Sequence, residues 1–422
     1  MRVRGGHRTT RAGPRDRPLR IGLFGLLGSG NIGNDGSLEA VLGYLREEHP
    51  DAVLGGLCAG PERFSARWGI PATALHWYDT VAPAATGITA AVLKVVGKGL
   101  DAFRTAAWVR RFDIVIVPGM GVLEATLPLR PWGFPYALLL LCASGRLFGT
   151  KIALVSVGSS VITQRSLRVV VTSAARLAHY RSYRDTLSRD NLRTMGVDTS
   201  ADEVYPDLAF ALPVPDSATD RPTTGAVGIG VMDYRGANAD RDRADEIHAE
   251  YLAKVKRFAR WLIDDGRSIR LVTGDGADAA VAAEIVADLR AYRPDLDPSR
   301  VLAEPVFSLT DLMTQFRSVD YVVATRYHNV LCALRMSKPT ISIGYAAKND
   351  VLMARMGLGD FCQSVRSFEV ARLVNQFREL EGHREKLTDV LSKTNLEHTQ
   401  HIQEQFAALS RQIRNHPISH KG

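Results

Sequence analysis

Sulfur is scarce in this chain. Its 422 residues hold four cysteines, Cys58, Cys142, Cys332 and Cys362, none at CxxC spacing. That argues against a disulfide framework or a thiolate zinc site and fits buried thiols in a reducing compartment. Long apolar runs are missing too: the most apolar stretch, Tyr136 to Ala143, is far short of the roughly 20 residues a spanning helix needs. The first 20 residues hold no apolar segment of the kind a secretory signal carries. The expected location is the cytoplasm. Net charge is also lacking over most of the chain. The formal charge is +8, but seven arginines against one acid, Asp16, put six of those charges in residues 1–20 and leave +2 for the rest. A nucleic-acid-binding domain is expected to spread basic residues over one face. No such stripe is read, and nucleic acid is not expected as a partner. The basic arm, residues 1–19, reads as a disordered, solvated tail. Its sharper reading is weak attraction to an anionic membrane surface, worth about 1 kcal/mol per basic residue near the lipid, which would place the protein peripherally at the inner face.

What is present is an α/β pattern. The length calls for two domains of ordinary size, and at 45% hydrophobic and 23% charged the chain has the composition of a globular protein. Continuous apolar runs occur at Ile21–Gly25, Val53–Leu57, Asp113–Val117, Ile152–Val157, Val227–Val231, Ile269–Thr273, Tyr321–Ala324 and Thr340–Ile343. Unbroken runs of this kind are parallel strands buried on both faces. Between them lie helical patterns, such as Leu38, Val41, Leu42 and Leu45 at i, i+3, i+4 and i+7, closed by Pro50. A stretch rich in Pro, Thr, Ser, Ala and Gly at 211–225 separates two strand–helix series. This predicts Rossmann-like domains at 20–212 and 213–382, then a C-terminal helix and tail over 383–422, with Ile402, Phe406, Leu409 and Ile413 at helical spacing and a frayed end. Ligands in such sheets bind beyond the C-terminal ends of the strands.

Five segments fall at such ends. Gly25 to Ser37 (GLLGSGNIGNDGS) follows the first strand and opens a helix. Asn31 and Gly33 lie where helix N–H groups can meet an anion, and the segment can equally be a tight turn capped by Asp35 or Ser37. A second glycine turn, Pro118-Gly119-Met120-Gly121, precedes Glu124. Arg184 sits where a short run ending in Tyr183 becomes a helix, suited to a bidentate grip on phosphate or carboxylate, or to pairing with Asp185 or Asp190. The strongest segment is Thr325-Arg326-Tyr327-His328-Asn329, directly after Tyr321–Ala324. A guanidinium and an imidazole two residues apart at a helix start concentrate donors for an anion. Lys348, past the next strand, could add a positive charge or be a solvated loop lysine. No metal-ligand cluster is visible.

Taken in order, these segments resemble the polysaccharide pyruvyl transferase family. The likeness rests on GLLGSGNIGNDGSLEAVL, DIVIVPGMGVLE, RSYRDTLSRDNLRTMGVD, the expected strand YPDLAF with Asp207, and above all VDYVVATRYHNVLCALRMSKPTISIGYAAKNDVLMARMGL. Pro118 and Met120 stand where more glycine is expected. The resemblance implies a two-domain fold similar to GT-B glycosyltransferases. It also implies phosphoenolpyruvate as donor substrate without a further cofactor, and a sugar or lipid-linked glycan as acceptor. It carries catalytic roles to His328, as acid or phosphate partner, and to Arg326, as carboxylate or phosphate clamp. Donor contacts are expected from Arg184, Lys348, Asn31, Gly33, Gly119 and Gly121. Asp35 and Glu124 are candidates for the acceptor side. Two alternatives remain at this stage. One is a GT-B-type glycosyltransferase using a nucleotide sugar, with Glu304 as its ribose-binding acid. The other is a non-catalytic glycan-binding protein of the same fold.

Overall fold

The structure is a computed structural model, and it describes residues 17–78, 87–124, 131–215 and 224–414. Residues 1–16 of the basic arm, 216–223 of the expected linker and the tail 415–422 lie outside the described residues. The end of the arm is bound: Arg17 pairs with Asp113 at 2.6 Å, and Leu19 is buried.

Two parallel sheets form the molecule. The first holds β1 (Arg20–Gly25), β2 (Val53–Cys58), β3 (Ala72–Ala74), β4 (Ile114–Pro118), β5 (Lys151–Val157), β6 (Tyr180–Tyr183) and β7 (Glu203–Val204), in the order β3-β2-β1-β4-β5-β6-β7. The second holds β8 (Val227–Gly230), β9 (Ile269–Val272), β10 (Val301–Leu302), β11 (Tyr321–Ala324), β12 (Thr340–Gly344) and β13 (Cys362–Ser364), in the order β10-β9-β8-β11-β12-β13. Every residue of β4, β8, β11 and β12 is buried, the outcome expected of unbroken apolar runs covered on both sides. In each sheet the order reverses where the fourth strand pairs with the first, β4 with β1 and β11 with β8. Chain connections leave in opposite directions at these two places, and a crevice opens beyond the strand ends.

Right-handed crossovers distribute the helices over both faces of a sheet. In the first sheet, Ile32–Glu48 and Pro61–Trp68 follow β1 and β2. Gly87–Val109, Phe134–Phe148 and Arg165–Leu177, which follow β3, β4 and β5, pack side by side. The C-terminal helix, Arg384–Arg414, starts beside the second sheet and ends on the first. There the Gln405 side-chain oxygen accepts from Ser182 Oγ (2.8 Å) and Ser156 Oγ (3.2 Å), and its nitrogen donates to Tyr180 Oη (3.1 Å). Phe406 stacks on Tyr44 with ring centroids 4.7 Å apart. One helix thus ties the two sheets together.

All eight expected strands are present, with ends shifted by a residue or so. The segment YPDLAF differs from its expected strand. The strand there is Glu203–Val204, and Leu208–Ala211 is a short 3₁₀ turn capped by Asp207, whose Oδ1 accepts the Ala209 N–H at 3.0 Å. A side chain that satisfies an amide two residues on favours a turn over a ladder.

Candidate functional site

The glycine loop after β1 is shaped by backbone contact. Gly28 and Gly30 take left-handed φ values of 68° and 96°, and a Cβ on Gly28 would lie 2.3 Å from the Gly60 carbonyl oxygen. Asn31 caps the first helix, its Oδ1 accepting the N–H groups of Gly33 (3.1 Å) and Asn34 (3.2 Å). Asp35 closes the loop on itself: its Oδ1 accepts the Gly28 N–H at 2.9 Å, and burial holds its pKa above the ordinary value despite that bond.

The turn after β4 brings the first sheet's acid into place. Gly119 and Met120 both have left-handed φ, 53° and 36°. Met120, which departs from the expected glycine pattern, lays its side chain against Gly25, where a Cβ would meet its Cε at 2.2 Å. A Cβ on Gly119 would strike Ser37 Oγ at 2.3 Å, and one on Gly121 would lie 2.5 Å from the Glu124 carboxyl carbon. Each glycine makes room for a neighbour.

Glu124 sits between two cations from different sheets. Its Oε1 pairs with Arg184 Nη2, and its Oε2 with Lys348 Nζ at 3.1 Å. Arg184 follows β6, while Lys348 lies in Ala347–Arg355, the helix after β12, so the carboxylate bridges the two lobes. Arg184 is only 3% exposed. Its remaining edges face Asp207 (3.5 Å) and Asp185 (3.8 Å), and its carbon lies 4.7 Å from the centre of the Tyr327 ring. Lys348 Nζ is 5.3 Å from the Tyr345 ring and 5.7 Å from that of Tyr327. Burial alone would raise the Glu124 pKa, but Lys348 and Arg184 outweigh it and draw it down to about 2. Burial opposes the charge of Lys348 as well, and Glu124 reverses that, leaving its pKa above the usual lysine value. The pair is ionised on both sides.

His328 stands at the seam of the lobes. It is the second residue of the helix Tyr327–Arg335, and its ring lies on the backbone of Gly33, where a Cβ would meet Cε1 and Nδ1 at 2.0 Å. The Tyr327 ring stands edge-on to it at 5.2 Å. Burial lowers its pKa to about 4. The nearby Arg184 and Lys348 push the same way, against Asp207 and Glu124. The imidazole is therefore neutral at pH 7. Arg326 turns to its own domain, gripping Asp278 through Nη2 (2.6 Å) and Nε (2.9 Å). Asp278 is fully buried and also accepts the N–H groups of Asp233 (2.9 Å) and Gly274 (3.1 Å).

The geometry thus gathers His328, Gly33, Gly121, Glu124, Arg184 and Lys348, holds Asp35 within its loop, and anchors Arg326 beside them through Asp278. Sequence reasoning missed Tyr327, although it lies between two selected residues. It also gave no role to Asp278, which is 48 positions from the arginine it holds. Glu304 pairs with Arg270 at 2.5 Å and is mostly exposed. Among the described residues no group of three or more His, Cys, Asp or Glu could hold a metal ion.

The description matched by the sequence is polysaccharide pyruvyl transferase, over residues 31–346. The chain belongs to this family. The matched span runs from the helix cap Asn31 to just short of Lys348 and includes Gly33, Glu124, Arg184 and His328. No curated protein matches the chain. Among solved structures it is similar to a UDP-GlcNAc 2-epimerase from Methanocaldococcus jannaschii, with TM-score 0.56, 11% identity, and 85% of this chain and 92% of that one covered. It is also similar to Anabaena HepE in complex with UDP, with TM-score 0.57, 11% identity, and coverage of 94% and 100%. A UDP-GlcNAc 2-epimerase from Neisseria meningitidis bound to UDP-GlcNAc gives TM-score 0.55 at 10% identity, with 92% and 99% covered. These likenesses establish a two-domain, GT-B-like fold for this member of the polysaccharide pyruvyl transferase family.

The contact between Gly33 and His328 gives a direct test. Alanine suits a helical first turn, so Gly33→Ala should remain folded. Its methyl group must push the imidazole aside, however, and a shift of about 1 Å in an acting group can cost about 10²-fold in rate. A melting curve near that of the parent, with turnover down by about that factor, is the expected pair of results.

Proposed function

We propose that the chain transfers the pyruvyl group of phosphoenolpyruvate to two hydroxyls of one sugar in a cell-surface glycan or its precursor, forming a ketal. The observation that carries the reading is His328, neutral and lodged on Gly33 at the seam of the lobes beside the Lys348–Glu124–Arg184 bridge. Membership of the polysaccharide pyruvyl transferase family supports it.

The reaction needs a proton at the donor's methylene carbon. The adjacent carbon then becomes oxocarbenium-like and bonds to a sugar hydroxyl oxygen, which gives up its proton. The phosphate departs with the electrons of its C–O bond and takes up that proton, leaving as hydrogen phosphate. A second hydroxyl closes the ketal, and its proton offsets the one first taken up. We assign the first proton to His328. Its imidazole is neutral near pH 7, so it must gain a proton when the donor arrives. The donor's negative charge offsets the burial penalty and raises the imidazole pKa. Arg326 offers the N–H donors not engaged by Asp278 to the donor's carboxylate or phosphate, joined by Lys348 and the amides at the start of the helix capped by Asn31. Arg184, enclosed by three carboxylates, acts as a positioning residue that fixes Glu124 and Tyr327. Glu124, with its low pKa, is a poor base and serves to hold Lys348.

Calorimetric titration with phosphoenolpyruvate in buffers of different ionisation heat tests this. Net proton uptake near neutrality is expected, and its loss in His328→Gln. An absence of phosphoenolpyruvate binding, together with stabilisation by a UDP-sugar, would overturn the reading.

A further inference from the structure

The first domain has a face unlike the rest of the surface. Among the described residues, eight of the fourteen exposed large hydrophobic side chains lie between positions 95 and 169. They fall on or beside the three neighbouring helices Gly87–Val109, Phe134–Phe148 and Arg165–Leu177. Val95, Val96, Leu100 and Phe103 follow one another at helical spacing, and Phe103 is 78% exposed. Trp132, 64% exposed, precedes the second helix, and Leu147 ends it.

The charges on this face have one sign. The helices Phe134–Phe148 and Arg165–Leu177 carry four arginines, Arg146, Arg165, Arg168 and Arg176, and no aspartate or glutamate. The long helix before them has one acid, Asp101, which is 2% exposed and accepts the Trp77 N–H at 2.7 Å. Arg110, Arg111 and Arg165 are exposed at the margins. Exposed aliphatic and aromatic side chains ringed by cations, with no exposed acid among the described residues of the three helices, are the composition of a surface that lies in a lipid headgroup layer. A second copy suits it poorly: in a two-fold pair the same patch meets itself, and its arginines would face arginines. No helix of the described residues is long and apolar enough to cross a membrane, so any contact is with the surface of the bilayer.

We propose that these three helices form a docking face for an anionic phospholipid bilayer. The helices run back from the C-terminal edge of the first sheet, so Val95 and Trp132 lie toward the edge that carries Glu124. The bilayer then flanks the crevice, the side from which a lipid-linked saccharide would reach it. Membrane contact on this account belongs to the folded domain, with the basic arm at most an accessory.

The test is co-sedimentation of the full chain with vesicles of phosphatidylcholine alone and with about one-third phosphatidylglycerol. Binding is expected to the second only, falling with salt. Phe103→Glu and Trp132→Glu, both at exposed positions, should each lower partitioning about tenfold with the melting temperature unchanged. Replacing the arm arginines Arg2, Arg4, Arg8 and Arg11 with glutamine should leave most of the binding. Three results would overturn the proposal: undiminished binding by both glutamate variants, loss of binding in the arm variant alone, or a lipid-free dimer that the glutamate substitutions dissolve.

Discussion

Replacing His328 with glutamine should lower turnover by about 10²–10³-fold, the usual cost of removing one acting group from a buried polar site, while leaving the chain folded. Glutamine retains a hydrogen-bonding tip but cannot deliver a proton. The comparison with Gly33→Ala is informative because the two changes disturb the same contact from opposite lobes. If the imidazole acts where it rests on Gly33, the double variant should be little slower than His328→Gln alone, since a displaced group and a missing one are equally idle. Full additivity would mean that Gly33 serves some other purpose. The histidine also leaves a mark on acid stability. Its folded pKa of about 4 lies below its ordinary 6.5, so the unfolded chain binds more protons between those values. Its contribution is complete above about pH 6.5 and is lost as pH falls toward 4. The glutamine variant should be less sensitive to acid over that window.

The legible part of the fold was the part written in continuous apolar runs. β1, β2, β4, β5, β8, β9, β11 and β12 lie inside their sheets, flanked by a strand on each side, where burial on both faces favours apolar residues. The shorter strands had weaker signatures. β7 and β10 have two residues each and β3 has three, too few for periodicity to register. The candidate site was legible where chemistry sits at a strand end, as with His328 and Glu124. It was hidden where chemistry depends on a partner far along the chain. Nothing near Arg326 indicates that Asp278 will hold it, or near Arg184 that Asp207 and Tyr327 will enclose it. Tertiary folding makes those pairs, and a one-dimensional reading can offer Arg184 only its neighbours in the chain, such as Asp185, which does face it at 3.8 Å. The cationic face was missed for a related reason: totalling charge over the whole chain conceals a 60-residue stretch without an acid.

Glu124→Gln should be the most destabilising of the changes considered, by about 3 kcal/mol or more, because it removes the negative partner of two buried cations and leaves their desolvation uncompensated. Arg184 keeps Asp207 and Asp185, which limits the loss on that side. Lys348, which pairs with no other carboxylate among the described residues, bears most of it. Urea unfolding at neutral pH measures the difference. Its pH dependence separates this group from His328. The Glu124 pKa falls from 4.5 to about 2 on folding, so its stabilisation is full above about pH 4.5 and fades as pH drops toward 2, below the window assigned to the histidine. The parent should therefore lose stability in two steps on acidification, the first absent from His328→Gln and the second from Glu124→Gln. If Glu124→Gln matched the parent in urea, the bridge between the lobes would contribute nothing to holding them together. Lys348 would then have to be placed by the helix Ala347–Arg355 alone.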